Sequence, residues 1–177
     1  MEIRRLQPDD ISLIGEIDRS EHIRVAYEID KGHLVSRSVD WDVPTWHPEG
    51  TGNHTVAGMI DHWRPIVEGG AVLLGAYDQH ELLGLAIVDG VFEPKMAWLA
   101  LLHVNRRHRR CGVASALWSA AAEIAGEAGA DSIYVSATPS GSAVGFYLDQ
   151  GGVPADPPHP DLYAREPEDI HFVCPVG

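Results

Sequence analysis

Cysteine, basic residues and long apolar runs are all scarce in this 177-residue chain. The two cysteines, Cys111 and Cys174, lie far apart and form no CxxC pair. Two such residues make no disulfide framework, and free thiols suit a reducing cytosol. Lys and Arg total 13 against 26 for Asp and Glu, leaving a net charge of −13. A field of that sign argues against general binding to nucleic acid or an anionic membrane, and it attracts cations. The longest apolar run, Met96 to Leu102, is far too short to cross a bilayer. No apolar stretch follows Met1-Glu2-Ile3-Arg4-Arg5, so no signal peptide is visible and a cytoplasmic location is expected. Internal repeats and low-complexity tracts are missing. So are the two common nucleotide motifs, GxxxxGK[ST] and GxGxxG. The ten histidines include His47, His54 and His62, but no HxxxH or HExxH spacing, and no metal is assigned.

What is present is 45% hydrophobic and 22% charged, the balance of an ordinary globular protein. The length suits a single domain, residues 1–177, able to bury a core without disulfides or a structural metal. Glu2 to Leu6 alternates as a short strand, and Pro8-Asp9-Asp10 opens a helix carrying Ile11, Ile14 and Ile17. Alternation over residues 22–39, with a turn at Asp30-Lys31-Gly32, predicts a β-hairpin. Residues 40–54, rich in Trp, Pro and Gly, read as a loop. Val56 to Val67 is a helix candidate. The runs Ala71–Tyr77, Leu82–Val88 and Met96–Val104 form an antiparallel meander. The clearest helix, Gly112 to Gly129, has an apolar stripe of Val113, Leu117, Ala120 and Ile124. Ser132–Ala137 follows as a strand, so a crossover and a parallel neighbour are implied. Ser142–Gln150 is a short helix, and Ile170–Cys174 a last strand. The class is α/β, a mixed sheet with helices on its faces.

Four of the 13 basic residues fall within Arg106-Arg107-His108-Arg109-Arg110, between an apolar strand and the best helix. A helix N-terminus offers unpaired N–H groups and a positive dipole end, and Gly112 and Ala114 let a ligand approach the backbone. Together these point to an anion site, most simply for a pyrophosphate. A solvated basic loop is the plain alternative.

Arg109-Arg110-Cys111-Gly112-Val113-Ala114 resembles the acyl-CoA signature Arg/Gln-x-x-Gly-x-Gly/Ala of the GCN5-related N-acetyltransferases. Leu102-x-Val104 before it resembles that family's fourth-strand ending, and Ala143-x-x-Phe146-Tyr147 its AxxFY segment. The resemblance spans Glu2 to Cys174 and is best from Leu73 to Gly152. It implies an acyl-CoA N-acyltransferase fold: a mixed, mostly antiparallel central sheet with splayed fourth and fifth strands, flanked by helices. It implies an acetyl-CoA-dependent N-acetyltransferase acting on a primary amine of a small molecule or protein. Pantetheine would lie against Leu102 and Val104. The pyrophosphate would sit on Arg109, Arg110, Cys111, Gly112, Val113, Ala114 and Ser115, with Ser140 at the place of an Asn that bonds CoA. Tyr147 would protonate the leaving thiolate; without the family it reads as a core aromatic. Gly152-Val153 replaces the family's Gly-Phe.

Many members carry a carboxylate four residues before the strand-ending Val, and here that residue is Ala100, with Leu101 beside it. The general base is therefore open among His103, Asp89, Glu93, Asp30, Asp40 and Asp42. Its absence from the usual place keeps a second reading alive: a sensor module that binds acyl-CoA without turnover. The acceptor is expected at residues 22–54, where Tyr27, Glu28, Trp41 and Asp42, with Asp30 and Trp46, suit a cationic amine. The alternatives for that segment are packing onto the sheet and a homodimer contact. Leu162-Tyr163 and Ile170–Phe172 faintly resemble aminoglycoside- and streptothricin-type acetyltransferases, too little to name a substrate.

Overall fold

The computed structural model describes residues 1–177. Its strands are β1 (Glu2–Arg5), β2 (Glu21–Asp30), β3 (His33–Val43), β4 (Val72–Asp78), β5 (Glu81–Glu93), β6 (Met96–Val104), β7 (Ser132–Ala137), β8 (Val153–Pro154) and β9 (Ile170–Pro175). Its α-helices are α1 (Val56–Glu68), α2 (Val113–Glu127), α3 (Gly141–Asp149) and α4 (Pro160–Arg165). Seven strands form one sheet in the order β1-β4-β5-β6-β7-β9-β8, while β2 and β3 pair only with each other. Every pairing in the large sheet is antiparallel except β6 with β7. That exception follows from α2, which carries the chain back over the sheet between those two strands.

Two apolar layers hold the sheet. One face packs on α2 and α3 through Leu117, Trp118, Ala121, Val144 and Phe172. The other packs on α1 and the Pro8–Glu16 segment through Ile11, Ile14, Trp46 and Trp63. Pro8–Glu16 is a 3₁₀ helix rather than an α-helix. The spacing of Ile11, Ile14 and Ile17 is three, the period of that tighter helix, and all three are buried. No helix is long and apolar enough to cross a membrane.

Three expectations shift. The hairpin is longer than residues 22–39, because β3 runs on through Trp41 and Asp42 to Val43. Strand β5 continues to Glu93, so the turn into β6 lies at Pro94-Lys95 rather than across Asp89–Lys95. On α2 the buried stripe includes Trp118 and Ala121, with Ala120 only partly buried.

Candidate functional site

The site begins with a fault in the sheet. Leu101 pairs with Ile87 and Leu99 with Val88, leaving Ala100 as an extra residue on β6. Such a bulge bends its strand and breaks pairing on the far edge. β6 meets β7 from Met96–Ser132 to Leu99–Val135 and no further. Beyond Leu99 the two strands part, and a cleft of about 910 Å³ opens between them. Leu102 and Val104 face the α2 layer, whereas Leu101 faces the α1 layer. By the same alternation His103 turns to the α1 side, where its ring meets Trp46 edge-on at 4.9 Å.

The turn after β6 closes one end of the cleft. Arg110 and Gly112 both adopt left-handed backbone, at φ 64° and 80°. This conformation is easy for glycine and costly for most other residues. It leads straight into α2, whose first capping bond runs from the Ala116 N–H to the Gly112 carbonyl. The N–H groups of Arg110 through Ser115 donate to no acceptor within the chain. A Cβ built on Gly112 would meet nothing within 4 Å, so the space above these donors is open. The backbone therefore fits an anion such as a pyrophosphate.

The side chains of the basic run are mostly committed elsewhere. Arg106 bonds the Ser20 hydroxyl at 3.2 Å, and Arg107 and His108 both pair with Glu81. Arg109 donates to the carbonyls of Val104 and Arg19, at 3.3 and 2.7 Å, and pairs with Glu21 at 3.3 Å. Its role is to tie the end of β6 to the base of the hairpin. Arg110 alone in the run has no side-chain partner, and it lines the cleft. Cys111 is exposed and turns away from the cleft lining. Gly112, Val113, Ala114 and Ser115 all line the opening, and Val113 also packs in the core. Ser140 also lines it, but its hydroxyl caps α3 by accepting from the Ala143 N–H at 3.2 Å. The cap gives the short helix its start.

Tyr147 stands on α3 among Trp118, Phe146 and Phe172, at ring distances of 5.9, 5.2 and 6.2 Å. Gly152 holds the end of that helix against β9, since any Cβ there would come within 2.7 Å of the Tyr147 carbonyl and 2.8 Å of the Cys174 sulfur. Tyr147 is 6% exposed, its phenol has no hydrogen-bond partner, and it lines the cleft. Burial, with Cys174 and Asp169 nearby, pushes that phenol well above its ordinary range, so it stays protonated.

The four acceptor residues expected on the hairpin do not line the cleft. Tyr27 packs on the α2–α3 core layer. Glu28 pairs with Arg37 at 3.5 Å, and Arg37 also lies 5.0 Å over the Trp41 ring. Asp42 accepts from His22 at 2.9 Å. Trp41 and Asp42 face these partners because β3 is strand, not loop, where they stand. The far wall comes instead from Trp46, Asn53, His54, Met59 and Trp63 on the α1 side, facing the segment Arg165–Asp169 before β9. That segment was missed in the sequence. No local motif marks its carboxylates, and only the β7–β9 pairing brings them to the opening. No group of three or more His, Cys, Asp or Glu side chains is arranged to hold a metal ion.

Residues 38–151 match the sequence model of a family described as acetyltransferase (GNAT). No curated protein matches the chain in sequence. Among solved structures, nourseothricin acetyltransferase superposes with a TM-score of 0.73 at 19% identity, covering 99% of this chain and 98% of that one. A Bacillus anthracis (strain Ames) protein, assigned as a streptothricin acetyltransferase and solved with acetyl coenzyme A, gives 0.69 at 16%, over 98% and 96%. The PaiA N-acetyltransferase of Thermoplasma acidophilum, solved with coenzyme A, gives 0.62 at 15%, over 98% of each chain. At these identities the likeness is one of fold.

Proposed function

The chain belongs to the acetyltransferase (GNAT) family, and from that premise we propose that it transfers an acetyl group from acetyl-CoA to a primary amine of a small molecule or protein. The observation that carries this reading is the open run of N–H donors from Arg110 to Ser115, set at the mouth of the β6–β7 gap. A pyrophosphate on those donors directs the pantetheine arm along the unpaired edge of β6 at Leu102 and Val104. The thioester then comes to rest near Tyr147.

The residues present fit the steps. Unpaired backbone on β6 can hydrogen-bond an extended amide chain as a neighbouring strand would. The amine attacks the thioester carbonyl directly, the C–N bond forms, and the C–S bond breaks. Tyr147, protonated and desolvated, supplies the proton that the departing thiolate needs. A cationic acceptor suits the carboxylates at the cleft, among them Glu21, Glu166 and Asp169. No carboxylate stands on β6, where Ala100 and Leu101 lie, and that favours the second reading of a sensor that binds acyl-CoA without turnover.

Free-thiol release from acetyl-CoA separates the two. Spermidine, nourseothricin and a peptide with a free N-terminus serve as acceptors. Amine-dependent thiol release with a matching mass gain of one acetyl group supports the enzyme. Tight acetyl-CoA binding with no release supports the sensor.

A further inference from the structure

The usual position of a proton acceptor is empty of chemistry here, and the ionisable side chain nearest to it is badly suited. His103 is half-buried beneath Trp46, and burial with the Arg19 and Arg109 charges pulls its imidazole down to about 4. It is neutral near pH 7 but too weak a base to draw a proton from an ammonium efficiently.

Across the cleft the chain leaves α4 and enters β9 through Glu166, Pro167, Glu168 and Asp169, and all four residues line the opening. Asp169 directly precedes Ile170, whose pairing with Ala137 is the last between β7 and β9. It therefore stands at the mouth of the gap that β7 and β6 open. Its carboxylate makes no hydrogen bond or ion pair. Burial pushes it up to about 7, and the charges facing it, Glu166 and Glu168, are alike in sign and add to that rise. Tyr147 on α3, raised by burial, faces it as a neutral acid. Arg165 and His62 act on Glu166, which burial also raises.

Two other side chains mark this end of the cleft as built for a ligand. Tyr147 and Trp63 are 6% and 5% exposed, and both line the cleft. The Trp63 indole nitrogen is fully buried without a partner, and the Tyr147 hydroxyl makes no hydrogen bond within the chain. A buried donor left unpaired is costly, and a bound molecule can satisfy it.

We propose that Asp169 is the proton acceptor of this site, with Glu166 beside it holding the acceptor's ammonium group. The assignment rests on the acetyl-transfer reading. One ammonium proton passes to the Asp169 carboxylate, and the freed lone pair forms the C–N bond. As the C–S bond breaks, the thiolate takes the Tyr147 proton. The second proton lost from nitrogen restores the phenol, and Asp169 releases its own proton to water. The segment is held in register by a directional relay. A carbonyl only accepts, so His171 donates from Nε2 to the Glu166 carbonyl at 3.0 Å. Its Nδ1 then accepts from the Tyr134 hydroxyl at 2.9 Å, and that oxygen accepts from the His159 N–H at 2.9 Å.

The test compares two nucleophiles of similar size at pH 7.5: ethylamine, which is an ammonium ion, and hydroxylamine, which is neutral. Thiol release is followed for the wild type, Asp169→Asn and Asp169→Glu, with acetyl-CoA affinity measured by calorimetry. Asp169→Asn should lose about a hundredfold in kcat/KM with ethylamine, lose little with hydroxylamine, and keep its acetyl-CoA affinity. Asp169→Glu should recover part of the loss. Equal losses with both nucleophiles, no loss with ethylamine, or a wild type that accepts hydroxylamine alone would each overturn the assignment. A wild type that fails to bind acetyl-CoA refutes the acetyl-transfer reading instead.

Discussion

Arg109 and Tyr147 carry opposite lessons at the scale of single residues. Arg109 heads the acyl-CoA signature, yet its guanidinium ties Val104, Arg19 and Glu21 together. Arg109→Ala should therefore lower the melting temperature, by the equivalent of about 1.5–3 kcal/mol for bonds made by a charged donor. Its effect on acetyl-CoA affinity should be smaller, because the donors proposed for the phosphates are backbone. Tyr147 is a buried aromatic whose oxygen reaches a cleft. Tyr147→Phe should lower turnover about a hundredfold and leave acetyl-CoA affinity within about twofold. Steady-state kinetics beside calorimetry checks both. The place of Tyr147 on the cleft was legible because the AxxFY segment points to it. Tyr27, Glu28, Trp41 and Asp42 lie off the cleft lining, and residue type alone does not reveal that Glu28 and Trp41 already face Arg37 or that Asp42 already bonds His22.

At the scale of elements, the turn from β6 into α2 presents the open donors proposed to take the pyrophosphate. The conformation of Gly112, at φ 80°, is what holds the N–H groups outward. Gly112→Val should strain that turn and fill the open space above it. Acetyl-CoA should bind at least tenfold more weakly, or ~1.4 kcal/mol, as read by calorimetry. The meander, the crossover helix and the signature turn were all legible, because period-two runs and an Ala-rich stripe are strong local signals. The bulge at Ala100 was not. One extra residue inside Met96-Ala97-Trp98-Leu99-Ala100-Leu101-Leu102 leaves the run apolar throughout, so nothing local reports the break. The end of the hairpin was misread for a related reason. Trp41 and Asp42 look like loop beside Pro44, and only pairing with β2 makes them strand.

Across the whole molecule, the cleft sets a pH signature on stability. The folded state holds the Asp169 proton up to about 7, against an ordinary value of 3.8, so stability falls as pH climbs through that window. His103 runs the other way. Its folded form stays neutral down to about 4, against 6.5 unfolded, so acid costs stability in that range. The two partly cancel, and Asp169→Asn should uncover the His103 slope: its melting temperature should gain most on the wild type near pH 7.5 and least near pH 4. Thermal melts at a series of pH values check this. The net charge of −13 predicts in addition that a cationic acceptor's KM rises with salt. The overall charge was plain in the sequence. Where it concentrates was not, since the α4–β9 segment reaches the cleft only through the sheet order.

The central claim is that acetyl-CoA binds in the gap between β6 and β7, with its phosphates on the α2 turn. Amide hydrogen exchange with and without acetyl-CoA tests it most directly. The N–H groups of Arg110 through Ser115 donate to nothing in the free protein and should exchange fast. Acetyl-CoA should slow them strongly, together with the open edge of β6 around Leu102 and Val104, and leave the tip of the β2–β3 hairpin unchanged. Protection that spares the Arg110–Ser115 turn while appearing elsewhere would contradict the account.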